Sequence, residues 1–391
     1  MAFAAPTEPM KILLVSSGSG SRGGGEIFLD YLGNGMADRG HEVLVWMPSH
    51  PRMDELAQRC SQFARVIRAD YRSIYDYRTR TVATALNRRT SDRIARDWEK
   101  LKPDVIHLNK QNLEDGLDLL RATDQCGIPS VCTIHLTQTA HYLRAKLPWL
   151  RDRIARSALC NYKGTLVAVQ ETRRKALDEF LSGRTHTKII FYGVPLVNQN
   201  QKPAMRAAKR RDLRLSSDDF LILGVARLVA QKRPLVFLET AKVIHQHFPL
   251  AKFLWVGDGK LSVQWDRWVA QENLEGVISR VGWQADVIPF LFAGDLLLHV
   301  AEYEGLPLAI AEAMSAGLPC AVTRNFAGEI PLFDEHNVLF VDDPQSLADR
   351  LRDPAALARI AAGGRRLVEE RLSIPAMACA YERLYADAMQ K

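Results

Sequence analysis

One stretch in the second half of the chain constrains its fold more than any other. The apolar run 295–301 is typical of a buried strand, and a second apolar run follows at 319–323. Between them lie Glu304-Gly-Leu-Pro-Leu-Ala-Ile-Ala-Glu312 and Gly317, which predict a turn, a helix and a helix end. Strand, helix and strand in this order form a βαβ unit, which belongs to a parallel sheet.

Short apolar runs alternate with helical segments over the rest of the chain. Predicted strands lie at 10–16, 41–47, 64–68, 104–109, 128–135, 164–170 and 188–192, and then at 220–226, 252–256, 277–283 and 337–341. Between the two series, residues 198–214 are polar and basic with little apolar periodicity, which predicts a surface segment at a domain boundary. The pattern therefore predicts an α/β protein with two successive βα domains.

Composition narrows the class of protein. The chain has 391 residues, 47% hydrophobic and 25% charged, as in an ordinary globular protein of two or three domains. We expect no signal peptide and no membrane-spanning run. Six scattered cysteines favour free thiols in a reducing cytoplasm, and the net charge of +7 suits anionic ligands or a membrane surface.

The two carboxylates of the 304–312 stretch suggest an elongated ligand. Glu304 follows a strand, whereas Glu312 lies inside the helix, roughly 12 Å along its axis. Between them, the backbone N–H groups of Gly305, Leu306 and Leu308 can face an anion at the helix N-terminus. A nucleotide sugar has this layout of hydroxyls, diphosphate and hydroxyls. On these residues alone, a helix-start acid and a solvated glutamate remain the alternative.

Arg227 and Lys232 follow the predicted strand 220–226 and precede a helix. Both can reach a diphosphate, and arginine can bind two of its oxygens at once. Taken alone, each of these residues is equally consistent with an ordinary cation on the protein surface. Together with carboxylates that follow another strand of the same sheet, they predict a site for a nucleotide diphosphate.

Two features of the first half have open interpretations. The glycine-rich loop 17–25 lies between a strand and a helix, but the second strand ends in Met47-Pro-Ser-His50 without the acid that a dinucleotide site needs. We therefore disfavour a dinucleotide oxidoreductase and expect backbone approach to a small ligand. His135 closes the strand 128–135, either as a hydrogen-bonded strand-end histidine or as part of a site.

Two basic segments with interspersed aromatic residues occupy 71–98 and 141–156. They are either solvated helical faces or surfaces for an anionic acceptor and membrane headgroups. We expect no nucleic-acid partner.

The chain resembles the retaining glycosyltransferases of family 4, which have the GT-B fold. The matching motifs are Gly24-Gly-Glu26, Gly40-His-Glu-Val43, Thr133-Ile-His135, Gly193-Val194, 224–232, Gly257-Asp-Gly259, and Glu304 to Glu312 followed by Ala313-Met-Ser-Ala-Gly-Leu-Pro319. Two positions depart from the family pattern. Asn109 stands where a histidine is frequent, and the loop 325–331 lacks a double glycine.

The resemblance implies two Rossmann-like domains facing each other across a cleft. Residues 1–195 would form the acceptor-side domain, 196–372 the nucleotide-sugar domain, and 373–391 a helix that packs back on the first. The enzyme would move a sugar from a nucleotide diphosphate sugar, UDP- or GDP-linked, to a hydroxyl of a glycan, glycolipid or small molecule. It would be cytoplasmic or peripheral at the inner face of the membrane.

The resemblance also implies a role for each site residue. Arg227 and Lys232 would hold the diphosphate, Glu304 would contact sugar hydroxyls and Glu312 ribose hydroxyls. The amides from Gly305 to Leu308 would bind phosphate. The remaining expected site residues are Gly24, Gly25 and His135 on the sugar and acceptor side, Gly257 beside the nucleotide, and Gly282 and Trp283 near the base.

No metal and no cofactor is expected, because two fixed cations neutralise the diphosphate. A sugar-nucleotide epimerase and a nucleotide-sugar-binding protein without turnover stay open as alternatives. A phosphorylase would need the sequence context of a pyridoxal-phosphate lysine, which this chain does not show.

Overall fold

The computed structural model describes residues 8–18, 20–77, 81–184, 187–326 and 328–390. The chain divides into two compact units. The first comprises Met1–Gly193 with Ser373–Lys391, and the second comprises Val194–Leu372. The domain border expected after residue 195 lies shortly beyond this division.

The first unit is built on a parallel sheet of seven strands in its described part, in the order β3-β2-β1-β4-β5-β6-β7. The strands are β1 Lys11–Ser16, β2 Glu42–Pro48, β3 Arg65–Ala69, β4 Val105–Lys110, β5 Ser130–Ile134, β6 Thr165–Ala168 and β7 Lys188–Ile189. The helices are α1 Gly24–Asp38, α2 Asp54–Cys60, α3 Thr81–Leu86, α4 Arg88–Leu101, α5 Leu117–Cys126, α6 Pro148–Asn161 and α7 Glu171–Phe180.

The second unit has a parallel sheet of six strands in its described part, in the order β10-β9-β8-β11-β12-β13. Its strands are β8 Phe220–Val225, β9 Ala251–Val256, β10 Ile278–Val281, β11 Leu296–His299, β12 Cys320–Thr323 and β13 Leu339–Val341. Its helices are α8 Lys202–Asp212, α9 Pro234–His247, α10 Ser262–Gln271, α11 Ile288–Ala293, α12 Leu308–Ser315, α13 Pro344–Arg350 and α14 Pro354–Arg371.

The central strands of both sheets are buried and largely apolar because helices cover both faces of a parallel sheet. Leu13 of β1 lies opposite Leu44 of β2 and Ile106 of β4, and all three are buried. In the second unit, Ile222 of β8 lies opposite Phe253 of β9 in the same way. In each unit the first strand of the series lies at the point where the strand order reverses, and ligands of open parallel sheets bind beside that point.

The last helix, α15 (Ile374–Met389), belongs to the first unit. Its Tyr385 hydroxyl contacts Nδ1 of the buried His107 at 2.5 Å. Its Glu382 pairs with Arg39 at 2.5 Å and with His41 at 2.9 Å, just after α1. Since the Glu382 side chain is only 2% exposed, this ion cluster fixes the helix against the first unit.

The polar and basic residues 198–214, for which the sequence indicated a surface segment at a domain boundary, contain helix α8. The helix packs through cationic rather than apolar side chains. Arg206 donates to the carbonyls of Phe292, Ala293 and Gly294 at the end of α11, and it pairs with Asp295 at 2.5 Å. A guanidinium suits this position because the carbonyls at a helix C-terminus carry partial negative charge.

The segment 71–98 is also corrected in part. Tyr71 and Trp98 lie in the core of the first unit, at 7% and 0% exposure, and both pack against Trp46. These two aromatic side chains therefore cannot contact a membrane. Arg78 and Arg80 lie outside the described residues.

Candidate active site

The candidate site of the second unit lies at the carboxyl ends of β8 and β11, which are neighbours in the sheet. Lys232 belongs to the 3₁₀ turn Ala230–Lys232 after β8, and Glu304 follows β11. Two hydrogen bonds join the segments: the side-chain Nε2 of Gln231 donates to Tyr303 O at 3.0 Å, and the backbone N of Glu302 donates to Gln231 O at 2.8 Å. The fold thus brings together residues that are distant in sequence.

The ammonium of Lys232 contacts Oε1 of Glu304. Both side chains are largely withdrawn from water, at 16% and 8% exposure. The predicted pairing of a cation from one strand end with an acid from the next is therefore present. Since an ammonium has three donors, Lys232 can keep this contact and still donate to a phosphate oxygen.

His299 is a site residue that the sequence interpretation missed. It is the last residue of β11, and its Nε2 lies 3.2 Å from Oε1 of Glu304. Its ring is buried and packs against Phe326 at a centroid distance of 5.5 Å. A polar residue that closes an otherwise apolar strand was the available signal, since that edge of a parallel sheet faces ligands.

The environment of Glu304 keeps its carboxylate ionised. Burial alone raises the pKa of the carboxyl group, but the charge of Lys232 and the contact with His299 outweigh burial and lower the pKa to about 2. At neutral pH the group is therefore a hydrogen-bond acceptor only.

Arg227 lies on a turn held by close backbone packing. Its neighbour Ala226 accepts a hydrogen bond from Trp255 Nε1 at 2.8 Å, and Leu228 N donates to Asp258 O at 2.9 Å. Gly257 has a φ of +136°, and a Cβ there would approach Ala226 O to 2.1 Å. The structure thus shows Gly257 packed against the turn that carries Arg227.

The guanidinium of Arg227 is exposed and forms no hydrogen bond or ion pair with the described residues. It does not contact Glu304 or Glu312. The structure therefore brings together Lys232, Glu304 and His299, with Arg227 on the adjoining turn.

The N-terminus of α12 follows Glu304 directly. Pro307 is the N-cap residue rather than a residue of the first turn, and no side chain caps the helix. Gly305, Leu306 and Leu308 are buried, whereas Glu312 is half-buried on α12. Gly282 and Trp283 follow β10 on the same edge of the sheet, exposed and half-buried respectively.

In the first unit, His135 is enclosed by its neighbours at 3% exposure. Its Nε2 contacts Asn109 Oδ1 at 2.5 Å and its Nδ1 contacts the Tyr192 hydroxyl. Burial lowers the pKa of His135 to about 3, so the ring is neutral at pH 7. Asn109 also donates to Gly25 O at 2.8 Å, which links His135 to the start of α1.

The glycine-rich loop of the first unit packs around side chains of its own chain. A Cβ at Gly23 would meet the Glu26 carboxylate at 2.2 Å, and one at Gly18 would meet it at 2.7 Å. A Cβ at Gly25 would meet the Gln111 amide at 2.1 Å. Gly24 is exposed at the first position of α1. The glycines at 18, 23 and 25 thus lie in close contact with the side-chain ends of Glu26 and Gln111.

The described part of the chain was searched for metal-binding clusters and for membrane-spanning helices. No group of three or more metal-ligating His, Cys, Asp or Glu side chains occurs there. None of its helices combines the length and apolar character that a membrane crossing requires. All six cysteines are described, and none forms a disulfide.

Comparison with known proteins gives matches over both units. The family described as Glycosyltransferase Family 4 matches residues 22–197, and the one described as Glycosyl transferases group 1 matches residues 219–355. Among solved structures, HepE of Anabaena in complex with UDP covers 97% of this chain and 100% of its own, with a TM-score of 0.75 and 19% identity. WaaG, a glycosyltransferase involved in lipopolysaccharide biosynthesis, gives a TM-score of 0.67 at 15% identity.

Curated relatives match over shorter stretches. The UDP-Gal:alpha-D-GlcNAc-diphosphoundecaprenol alpha-1,3-galactosyltransferase of Escherichia coli is 38% identical over 30% of this chain and 31% of its own length. The lipopolysaccharide core biosynthesis glycosyltransferase LpsD of Rhizobium meliloti is 29% identical over 49% of this chain and 56% of its own length. The chain thus matches between a third and somewhat more than half of these relatives.

Two Rossmann-like units with parallel sheets, and the structural matches over nearly the whole chain, define the GT-B fold of glycosyltransferases. Within that class, the two family matches and the curated glycosyltransferase relatives support a glycosyltransferase of the family 4 type.

Proposed function

We propose that this protein transfers a sugar from a nucleotide diphosphate sugar to a hydroxyl acceptor, with retention at the anomeric carbon and without a metal ion. The observation that carries the proposal is the contact between Lys232 and Glu304 at the reversal point of the second sheet. It sets a cation, an ionised acid and an uncapped helix N-terminus beside one another.

In this proposal each group meets one part of the donor. Lys232 and Arg227 bind the diphosphate, and the amides that open α12 add hydrogen bonds to it. Glu304 accepts hydrogen bonds from sugar hydroxyls and Glu312 from ribose hydroxyls. Gly257, Gly282 and Trp283 line the nucleotide end, while Gly24, Gly25 and His135 serve the acceptor side.

The chemistry follows from where charge develops. The bond between the anomeric carbon and the β-phosphate oxygen breaks, and the electron pair leaves with the diphosphate, where Lys232 and Arg227 stabilise it. The sugar passes through an oxocarbenium-like state, which the acceptor oxygen attacks on the face that the diphosphate vacates. The acceptor proton passes to the departing phosphate oxygen, so no protein base is needed.

A UDP-sugar is the first donor to test. HepE was crystallised with UDP and with UDP-glucose, and the Escherichia coli relative is named for UDP-Gal. A thermal-shift panel of UDP-, GDP-, ADP- and TDP-sugars identifies the nucleotide, and mass analysis of products with hydroxyl acceptors follows. We expect a glycosylated acceptor and free nucleoside diphosphate. An isomerised sugar without an acceptor would instead indicate an epimerase, and binding without any product would indicate a binding protein.

We further infer that the protein contacts a membrane surface where a lipid-linked acceptor resides. Of the segments 71–98 and 141–156, the stretch 141–149, which runs from a turn into the first residues of α6, offers the better surface. Its large apolar side chains are exposed: Tyr142 at 54%, Leu143 at 45%, Leu147 at 60% and Trp149 at 65%. Exposed Arg144 and Lys146 lie among them. Aromatic, aliphatic and basic side chains together suit the headgroup region of an anionic bilayer.

Hydrogen bonds within the chain stabilise the conformation of the 141–149 stretch. Asp152 accepts hydrogen bonds from the backbone of Ala140 at 2.7 Å and His141 at 3.2 Å, and Ala145 N donates to Ala140 O at 2.9 Å. The apolar side chains are thus presented without a folding cost on binding.

Flotation with phosphatidylglycerol vesicles tests this contact. Leu147→Glu combined with Trp149→Glu should reduce the bound fraction at least fivefold, because both anchors become acidic. Val263→Glu is the matched control, since Val263 is 71% exposed in the second unit. Equal vesicle binding by the double variant and wild type would refute the membrane contact. It would leave the proposed reaction untouched, because sugar transfer is measured separately with soluble acceptors.

A further inference from the structure

Two described groups approach the same oxygen of the Glu304 carboxylate. Lys232 Nζ donates a hydrogen bond to Oε1, and His299 Nε2 lies 3.2 Å from Oε1 in an ion-pair contact that lacks hydrogen-bond geometry. No hydrogen bond from a described residue reaches Oε2, so that oxygen is available to a ligand.

Lys232 and His299 differ in how firmly they can hold Oε1. Lys232 ends a flexible chain of four methylenes with three rotatable donors, so it can follow a phosphate. His299 has a rigid ring on the last residue of β11, where its backbone lies opposite Val322 of β12. Phe326, which is 1% exposed, packs on the ring at an interplanar angle of 65°. The histidine therefore has the more fixed geometry.

The loop that carries Phe326 is itself tied to the strand end. Asn325 Nδ2 donates to Glu302 O at 3.2 Å. The 325–331 loop, which lacks the double glycine expected from the family, thus contributes a buried aromatic ring beside His299. Strand, loop and ring together restrain the imidazole.

We propose that His299 is a positioning residue, which fixes the rotation of the Glu304 carboxylate so that Oε2 faces a hydroxyl of the donor sugar. The identity of that ligand rests on the proposed function. When Lys232 turns toward the diphosphate, His299 continues to hold Oε1. The sugar contact then does not depend on the lysine that stabilises the leaving group.

Two substitutions test this role against a merely structural one. His299→Leu removes the donor at similar bulk, whereas His299→Gln keeps an N–H donor near the same place. Transfer measured with saturating acceptor should show a kcat at least tenfold lower for His299→Leu and within threefold of wild type for His299→Gln. UDP affinity should stay within twofold in both, because the diphosphate contacts are unchanged. His247→Leu, at an exposed position that ends α9, is the matched control.

A measurement without substrate separates this inference from the proposed reaction. The ¹³Cδ resonance of Glu304, assigned by comparison with Glu304→Gln, reports its titration. His299→Leu should raise the pKa of Glu304, because one of the two groups that favour the ionised form is lost, and His299→Gln should raise it less.

The outcomes are distinct. A raised Glu304 pKa and a lowered kcat in His299→Leu, both relieved in His299→Gln, support the positioning role. Wild-type pKa and kcat in His299→Leu overturn it and leave the proposed function intact. If wild type transfers no sugar from any donor, the proposed function fails, and the NMR titration alone decides whether His299 holds the carboxylate.

Discussion

Lys232 contacts the carboxylate of Glu304 although 72 residues separate them in the sequence. A buried ion pair is weak evidence for stability, since well-packed apolar residues of similar volume are often as stable. The pair is more readily explained by function. Lys232 follows β8 and Glu304 follows the neighbouring strand β11, at the carboxyl ends of the strands, where a parallel sheet binds ligands.

The low pKa of Glu304 predicts a pH-dependent stability. Its folded-state pKa is about 2 against an ordinary value of 4.5, so the ionised group favours the folded state. The contribution, roughly 3 kcal/mol, is complete above the unfolded-state pKa and is lost as the pH falls toward the folded-state pKa. The gap in urea-unfolding free energy between wild type and Glu304→Gln should therefore narrow from pH 6 to pH 3. A gap that stays constant over that range would contradict the assignment.

Arg227→Ala should affect binding but not folding. The side chain is exposed and pairs with no described residue, so its removal should leave the melting temperature within about 1 °C of wild type. UDP affinity should fall about tenfold or more, because a charge-assisted contact to phosphate is lost. A thermal-unfolding scan checks the melting temperature and calorimetric titration checks the UDP affinity, and unchanged affinity would remove Arg227 from the site.

Gly257→Ala should disturb the Arg227 turn. The residue has a φ of +136°, and the added Cβ would approach Ala226 O to 2.1 Å. We expect a loss of about 1–3 kcal/mol in unfolding free energy and weaker UDP binding. Gly276→Ala is the control, since a Cβ there meets nothing within 4 Å. Equal stability of the two variants would mean that this turn relaxes freely.

Glu382→Ala should loosen the last helix. Removal of the carboxylate takes away the buried ion pairs that Glu382 forms with Arg39 and His41, which costs about 3–5 kcal/mol. Asp387→Ala, exposed on the same helix, should change stability little. Hydrogen exchange along 374–389 checks this, with faster exchange expected in Glu382→Ala alone.

The fold was predictable from the sequence because the strands of a parallel sheet are largely apolar. The runs at 220–226 and 295–301 became β8 and β11, with borders shifted by at most two residues. Helix α8 was not predictable in this way, since Arg206 and Arg210 bind carbonyls and Asp295 where periodicity analysis looks for an apolar face.

The site was predictable in part. The cation and acid at the two strand ends were named from spacing and residue type, and Lys232 does meet Glu304. His299 could not be assigned, because nothing in the sequence specifies which strand-end side chains touch. Likewise, the glycines at 18, 23 and 25 indicated close approach, but only the structure shows that Glu26 and Gln111 occupy that room.

The most direct test of the account is calorimetric binding of UDP to wild type, Lys232→Met and Lys252→Met. Lys252 serves as the control because it lies near the amino end of β9, at the opposite edge of the same sheet. We predict that Lys232→Met binds UDP at least tenfold more weakly than wild type, while Lys252→Met stays within twofold. Wild-type affinity in Lys232→Met would contradict the claim that this lysine and Glu304 mark the nucleotide-sugar site.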